Sequence, residues 1–485
     1  MAKKNWTLEE KLEEAVVKDG PYEVPGNWVS VKLNSIFSFE KGKKPKTLIE
    51  EYVKNCIPYV NISYFETRVA QQYTFTTDTN RICNEDDILI VWDGARAGLI
   101  GTGVSGAIGS TLCKIKSNGL NNKFVYYYFL SNYDNINLNT KGTGIPHVDP
   151  SYLGTLSIGI PPLKEQQKIV DRIESLFEKL DKAKELIEEA REGFEKRKSA
   201  VLEKAFRGEL TEKWRRENRN LDKMENLIEL IKEERYSMIK TNREKKELDL
   251  TFDSHNYDYE YVPNQWIKVK ASMICDTITS GKTPKNGVSD SGDIPFLKVY
   301  NIVDNNISFS YRPQFISEEI HNGAMKSSNL IEKDIVMNIV GPPLRKVAII
   351  TDEYAEWNMN QNMVRFRPIK FVDYKYLYYC LLREETLNKA IDESKGVVGQ
   401  IIISTVKCRN LEIPIPSLVE QKEIVRILDN TYNKDITIDE LTNLEERIES
   451  IKKAILAKAF RGELGTNCEE DESALGMLKE ILSKQ

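Results

Sequence analysis

The residues of this 485-residue chain best able to hold a metal or attack an electrophile are three histidines, His147, His255 and His321, and seven cysteines, Cys56, Cys83, Cys113, Cys275, Cys380, Cys408 and Cys468. Their spacing suits neither task. No histidine has a His or Cys neighbour at ligand spacing and no CxxC pair occurs, so neither a zinc site nor a histidine acid/base centre is expected. An odd number of unpaired cysteines fits free thiols in a reducing cytosol. Three strings imitate catalytic motifs. Gly101, Gly103 and Gly106 spell GxGxxG, but the following AIGSTLCKIK is strand-like and offers no helix amino end to a pyrophosphate, so a glycine-turned β-hairpin is expected. Gly281-Lys282-Thr283 resembles the end of a P-loop, yet Asp276 stands where its first glycine belongs. Asp149-Pro150-Ser151-Tyr152 lacks the second proline of the tetrapeptide with which amino-methyltransferases hold a flipped base, and no FxGxG cofactor loop precedes it. No acidic pair followed by ExK reads as a nuclease core.

The elements that would position any site come next. Hydrophobic residues make up 40% and charged residues 29%; without an apolar run of about 18 residues, this composition predicts a globular protein with no membrane span. The length suits roughly three domains of about 150 residues each. The opening MAKKNWTLEEKLEEAVV has no apolar core, so no secretory leader is expected. The net charge of −5 is carried by residues 416–485, and no segment has the basic excess that would bind nucleic acid by bulk charge. A nucleic-acid contact must therefore be local.

The second half of the chain restates the first. PGNWVSV at Pro25–Val31 returns as PNQWIKV at Pro263–Val269, offset 238, and GKKP at Gly42–Pro45 returns as GKTP at Gly281–Pro284, offset 239. DILIV at Asp87–Val91 returns as DIVMNI at Asp334–Ile339, offset 247; IPPLKEQQKIV at 160–170 returns as IPSLVEQKEIV at 415–425, offset 255; KAFRGEL at 204–210 recurs unchanged at 458–464, offset 254. The early part of each module tolerates insertions as surface loops do, whereas the later part keeps its length as a rod does.

That fixed-length part carries a heptad stripe. Ile169, Ile173, Leu176, Leu180, Ala183, Ile187, Ala190, Phe194, Arg197 and Val201 are matched by Ile424, Leu428, Thr431, Asp435, Ile438, Leu441, Leu444, Ile448, Ile451 and Ile455. Ser417 with Glu420 predicts a capping box, and Gly208 and Gly462 predict left-handed C-caps. Each helix is predicted at about 40 residues, or about 60 Å. A stripe of this kind needs a partner, and the second copy supplies one at high effective concentration. Because each helix starts from its own globular module, the antiparallel arrangement is preferred, with the modules at opposite ends. The expected fold is α+β: two pseudo-repeated α/β domains separated by a pair of long antiparallel coiled-coil helices. Its divisions are an N-terminal helical segment (1–21), a first domain (22–160), a central long helix (161–210), a charged helix and linker (211–261), a second domain (262–415), a C-terminal long helix (416–464) and an acidic tail (465–485). The segments before the two Trp elements correspond, so the architecture is expected to be circularly pseudo-symmetric.

The doubled IPPLKEQQKIV and IPSLVEQKEIV elements, each opening a helix that closes with AFRGEL, and the GKxP loops ahead of them resemble the specificity subunit of type I restriction-modification systems. The resemblance runs from about Val24 to Leu464. It implies that the two α/β domains are target-recognition domains that each read half of a bipartite, asymmetric site on double-stranded DNA, with the helices setting the spacer. It also implies partners: two methyltransferase subunits carrying S-adenosylmethionine for adenine N6 methylation, and restriction subunits with an ATP-driven motor. The chain itself would then be a cytoplasmic, non-catalytic reader and scaffold with no cofactor, metal or membrane contact of its own.

Matching repeat positions nominates the DNA-binding residues. They are the loops Gly42, Lys43, Lys44, Pro45 and Gly281, Lys282, Thr283, Pro284; then Arg96 and, from the corresponding turn, Arg345 and Lys346; then the loops Lys141 to His147 and Lys395 to Gln400. Arg and Lys suit guanine edges or phosphates and Gln suits adenine, although each is equally a solvated turn residue. Two other readings stay open: a non-enzymatic coiled-coil scaffold with two protein-binding domains, and a self-sufficient methyltransferase or nuclease.

Overall fold

The computed structural model describes residues 6–142, 144–218, 224–253, 262–394, 401–433, 437–468 and 472–484. It divides into two compact units, 1–188 with 440–485, and 189–439. Each is built to the same plan.

In the first unit one four-stranded sheet has the order Phe37–Lys41, Leu112–Ser117, Ile88–Val91, Ile100–Gly101, and a second has the order Tyr73–Phe75, Cys56–Val60, Gly106–Ile108, Ile82–Cys83. The second unit repeats both sheets, as Cys275–Ser280, Met363–Pro368, Ile335–Asn338, Val347–Ile349, and as Phe315–Ile316, Ile294–Leu297, Trp357–Met359, Asn329–Leu330. All pairings are antiparallel except one in each unit, Cys56–Val60 with Gly106–Ile108 and Ile294–Leu297 with Trp357–Met359. The repeated DILIV and DIVMNI strings are the central strands, buried along their whole length, as continuous apolar runs covered on both faces should be. Gly101 and Gly106 of the GxGxxG string lie on strands with Gly103 in the bend between them, but Ile100–Gly101 and Gly106–Ile108 enter different sheets instead of forming the expected hairpin with each other.

The other repeated letters tie the long helix to its module. Glu165, in the first turn of the helix Leu163–Phe206, is buried and accepts from Trp28 Nε1 at 2.9 Å and from Asn467 Nδ2 at 3.1 Å. Glu420, in the first turn of Leu418–Asn433, accepts from Trp266 Nε1 at 3.1 Å, Thr211 Oγ1 at 2.6 Å and Arg215 at 2.5 Å. The neighbouring glutamines do the complementary job. Gln166 accepts from Asn121 N at 2.8 Å and donates to Pro161 O at 2.9 Å; Gln421 accepts from Asp373 N at 2.8 Å and donates to Pro416 O at 3.0 Å. Asn121 and Asp373 are the N-caps of the aromatic-rich helices Asn122–Ser131 and Tyr374–Leu382. Two adjacent side chains thus satisfy buried donors from three elements, which is why the Glu-Gln pair and the distant Trp recur together. Ser417 accepts from Glu420 N at 3.4 Å, but the Glu420 carboxylate turns to Trp266, so only half of the expected capping box forms.

The helix pairing is antiparallel in both units. In the first, Ile169, Val170 and Ile173 share a core with Leu456, Ala459 and Phe460, and Lys452 bridges Asp181 at 2.6 Å further along. In the second, Leu202 and Phe206 share a core with Ile424 and Leu428, and Lys198 lies 5.5 Å from the Tyr432 ring. The stripe is buried where helix and sheet meet, and further along Ile187 and Ile448 are buried as well. Leu444 and Ile451, expected in the seam, are 41% and 44% exposed, because a two-helix pair with no sheet behind it leaves part of each helix open. Asp435 lies outside the described residues. Both expected C-caps are present, with φ of 72° at Gly208 and 73° at Gly462. A Cβ at either glycine would also strike the proline that opens its Trp element, Pro263 or Pro25.

Two flanking helices complete each unit. In the second unit Met224–Ser237 and Asn242–Asp253 follow one another and pack on Ala271–Ile274. In the first, Leu8–Ala15 packs on Leu475–Ser483, with Lys11 Nζ donating to Leu482 O at 3.1 Å. Residues 465–485, read above as an acidic tail, therefore contain a helix whose Leu478, Ile481 and Leu482 are buried in the core.

Candidate nucleic-acid interface

In each unit the GKxP loop and the strand end that leads to the cationic turn meet at one short turn that the sequence had not marked. In the first unit this turn is 109–112, closed by Leu112 N donating to Gly109 O at 3.0 Å. Gly42 N donates to Leu112 O at 2.9 Å, Lys43 N to Ile108 O at 3.0 Å, Gly109 N to Val60 O at 2.9 Å and Trp92 N to Thr111 O at 2.8 Å. In the second unit the turn is 360–363, closed by Met363 N to Asn360 O at 3.2 Å. Gly281 N donates to Met363 O at 2.9 Å, Lys282 N to Met359 O at 3.1 Å, Asn360 N to Leu297 O at 3.0 Å and Ile339 N to Asn362 O at 2.9 Å. The five bonds correspond one to one.

This contact explains the glycine of GKxP. A Cβ on Gly42 would overlap the Gly109 and Ile108 carbonyl oxygens, and one on Gly281 would overlap those of Asn360 and Met359, so only glycine lets the two backbones meet. Gly42, Pro45 and Gly281 are buried and Pro284 is half-buried, while Lys43, Lys44, Lys282 and Thr283 are exposed. Lys282 Nζ reaches Ala324 O at 3.4 Å, and Thr283 Oγ1 donates to Gln361 Oε1.

The third nominated loop joins the same cluster. Gly94 N donates to Pro146 O at 2.8 Å, Val148 N to Trp92 O at 2.9 Å, and Lys141 and His147 exchange backbone hydrogen bonds. Lys141 Nζ lies 2.9 Å from Asp149, and this hydrogen bond holds the Asp149 carboxyl below its ordinary range. Asp149 also caps the helix Pro150–Thr155 by accepting from Ser151 N at 2.9 Å, which gives the DPSY string a structural role. In the second unit Val340–Gly341 pairs with Ile401–Ile402, bringing the corresponding chain to the same edge. Lys395 and Gln400 lie outside the described residues, as does His255.

The cationic turn differs between the units. Arg96 is 63% exposed in its side chain and meets Glu66 at 2.7 Å, an exposed pair worth about 0–1 kcal/mol and readily exchanged for a phosphate or base. Arg345, at φ 69°, is 36% exposed and is held by Glu384 at 3.3 Å and Asn388 at 2.5 Å. Lys346 turns inward, donating from Nζ to Ile302 O at 3.0 Å. Among the three, Arg96 is the side chain most available to a ligand.

Among the described residues no group of three His, Cys, Asp or Glu is placed to hold a metal, and no helix is long and apolar enough to cross a membrane. His321 is buried, with Nδ1 3.1 Å from Asn358 Nδ2 and Nε2 3.3 Å from Glu356. Six cysteines are buried, and burial pushes Cys83 up to about 11 and Cys113 and Cys408 up to about 12, which keeps them as thiols. What the cluster presents is lysine, arginine and small polar side chains on a rigid backbone, suited to phosphates and base edges.

The type I restriction modification DNA specificity domain matches the chain twice, over residues 25–192 and 263–450. The chain belongs to this family. It is 27% identical over 457 residues to the type I restriction enzyme MjaVIII specificity subunit of Methanocaldococcus jannaschii, covering 91% of this chain and 94% of that one. It is 23% identical over 470 residues to the EcoBI specificity subunit of Escherichia coli, covering 95% and 90%. A solved structure concerned with complex assembly and conformational transition of the type I R-M system contains a chain of similar fold, with a TM-score of 0.62 at 19% identity, covering 91% of this chain and all of that one. The expected fold class, two repeated domains of mixed helix and sheet with long helices, is the fold of this type I specificity chain.

The turns 109–112 and 360–363 were missed because they share no letters: GSTL against NQNM. Their only signal is an offset of 251, midway between the 247 of the DILIV strand and the 254 of AFRGEL.

Proposed function

We propose that this type I specificity chain reads a bipartite, asymmetric double-stranded DNA sequence, one half with each unit. The observation that carries this reading is the pair of matching backbone cradles that display different side chains, Lys44, Ser110 and Thr111 in one and Thr283, Gln361 and Asn362 in the other. Two rigid and similar frames with unlike tips are suited to two unlike half-sites. The chain acts without catalysis, as the reader and scaffold of a cytoplasmic complex. Two methyltransferase subunits supply S-adenosylmethionine and adenine N6 methylation, and restriction subunits supply an ATP-driven motor. Scaffolding is supported in the second unit by a groove of about 1250 Å³ between the helix pair and the sheets, lined by Tyr374, Tyr378, Tyr379 and Tyr432, where a methyltransferase subunit would dock.

The test is a genome-wide map of N6-methyladenine in cells with the gene intact and deleted. Loss of methylation at one bipartite motif on deletion supports the reading and yields both half-sites and the spacer. An unchanged map contradicts it, and binding of the purified chain to a protein partner but not to DNA would favour the protein-binding scaffold.

A further inference from the structure

Five backbone hydrogen bonds hold each turn in its cradle, so the side chains at the tip are free to differ. At the tip of 360–363 Gln361 is exposed, and Thr283 of the GKTP loop donates to its Oε1. The corresponding residues of the first unit are Ser110 and Lys44, which cannot form this pair of amide and hydroxyl. A glutamine amide that projects freely loses side-chain entropy on binding, whereas one already held by a hydroxyl has less to lose. The hydroxyl occupies one lone pair of Oε1. The second lone pair and both Nε2 hydrogens stay available, which is the donor and acceptor pair that matches adenine N6 and N7 in the major groove. The frame beneath is fixed, because Gly281 abuts the Asn360 and Met359 carbonyls and Asn360 N is tied to Leu297 O at 3.0 Å.

Resting on the DNA-reading function proposed above, we infer that Gln361, positioned by Thr283, is a specificity-determining residue that reads one adenine of the half-site bound by the second unit. Lys44 and Ser110 present a different pattern at the same place and select a different letter in the other half-site. Thr283 is a positioning residue: it touches Gln361 and acts through it.

The experiment maps N6-methyladenine in cells that express, from the native operon with its methyltransferase, the wild-type chain or Gln361→Ala, Gln361→Glu or Thr283→Val. The wild-type map comes first: without a gene-dependent bipartite motif the functional reading fails and this inference falls with it. Given the motif, Gln361→Ala is expected to relax one adenine position in one half-site, losing roughly ten- to hundredfold discrimination there, the range of a good bidentate contact, while every other position is kept. Gln361→Glu is expected to move the preference at that position toward cytosine, whose N4 amine donates. Thr283→Val is expected to relax the same position by a smaller factor. Unchanged discrimination in Gln361→Ala, or relaxation spread over both half-sites, overturns the inference. So does complete loss of methylation in both Gln361 variants while the chain still co-purifies with its methyltransferase, since the side chain would then be structural.

Discussion

Arg215→Ala should unlock the second unit and leave the first intact. Arg215 and Glu420 expose only 10% and 1% of their side chains and meet at 2.5 Å, and the guanidinium also donates to Gly208 O at 2.5 Å and lies 5.7 Å from the Trp266 ring. Removing it leaves a buried carboxylate with only Thr211 and Trp266 as donors. Breaking one partner out of a buried pair costs about 3–5 kcal/mol. Glu420→Gln removes the charge but leaves an amide able to accept from Trp266, and should cost about 1–3 kcal/mol. The double variant has no uncompensated charge, so its cost should fall short of the sum by at least about 1.5 kcal/mol, as expected for groups in one network. A chain of two units does not unfold in one two-state step, so the assay is amide hydrogen exchange read locally. The reporters are the strand pair Ile267–Lys270 with Glu412–Ile415 and, as a control, Val29–Lys32 with Ser157–Ile160. A loss under about 1 kcal/mol in the first reporter, an equal loss in the control, or strict additivity of the two substitutions would refute the argument.

Gly281→Ala should displace the 360–363 turn, because the added methyl overlaps two carbonyl oxygens; methylation at the bipartite site should be lost while the first unit keeps its exchange protection. Arg96→Ala should relax or abolish one half-site only, read from the methylation map, and equal loss in both halves would contradict independent reading. Glu203 is partly desolvated, yet its hydrogen bond to Arg383 at 2.6 Å holds its carboxyl below the ordinary value of 4.5. Its contribution is therefore complete above the unfolded value and lost as pH falls through the lower native one, and Arg383→Ala should abolish this acid-side slope in the local stability of the second unit.

The parts legible in the sequence were those where two copies of the chain use the same letters for the same contact. The Trp elements, the Glu-Gln pairs and the AFRGEL closures announced two modules and two long helices. What they did not announce was their mutual bonding, since Trp28 and Glu165 are 137 residues apart and Trp266 and Glu420 are 154 apart. Repeat matching nominated the candidate loops, but matching positions does not tell whether a side chain is spoken for. Lys346 is committed by Ile302 and Arg345 by Glu384 and Asn388, all far away in sequence. The 109–112 and 360–363 turns stayed hidden for the opposite reason: they are held by main-chain atoms, which any residue supplies. The heptad pattern overstated the seam at Leu444 and Ile451, where period alone cannot distinguish a covered face from an open one.

The cradles separate what must stay constant from what is free to vary. Because all five bonds run between peptide groups, substitutions at 110, 111, 361 or 362 would, on the reading proposed above, change the message without touching the fold that displays it. On that same reading, a lineage under pressure to alter its recognition sequence would explore new letters one residue at a time, and one half-site would drift while the other is conserved.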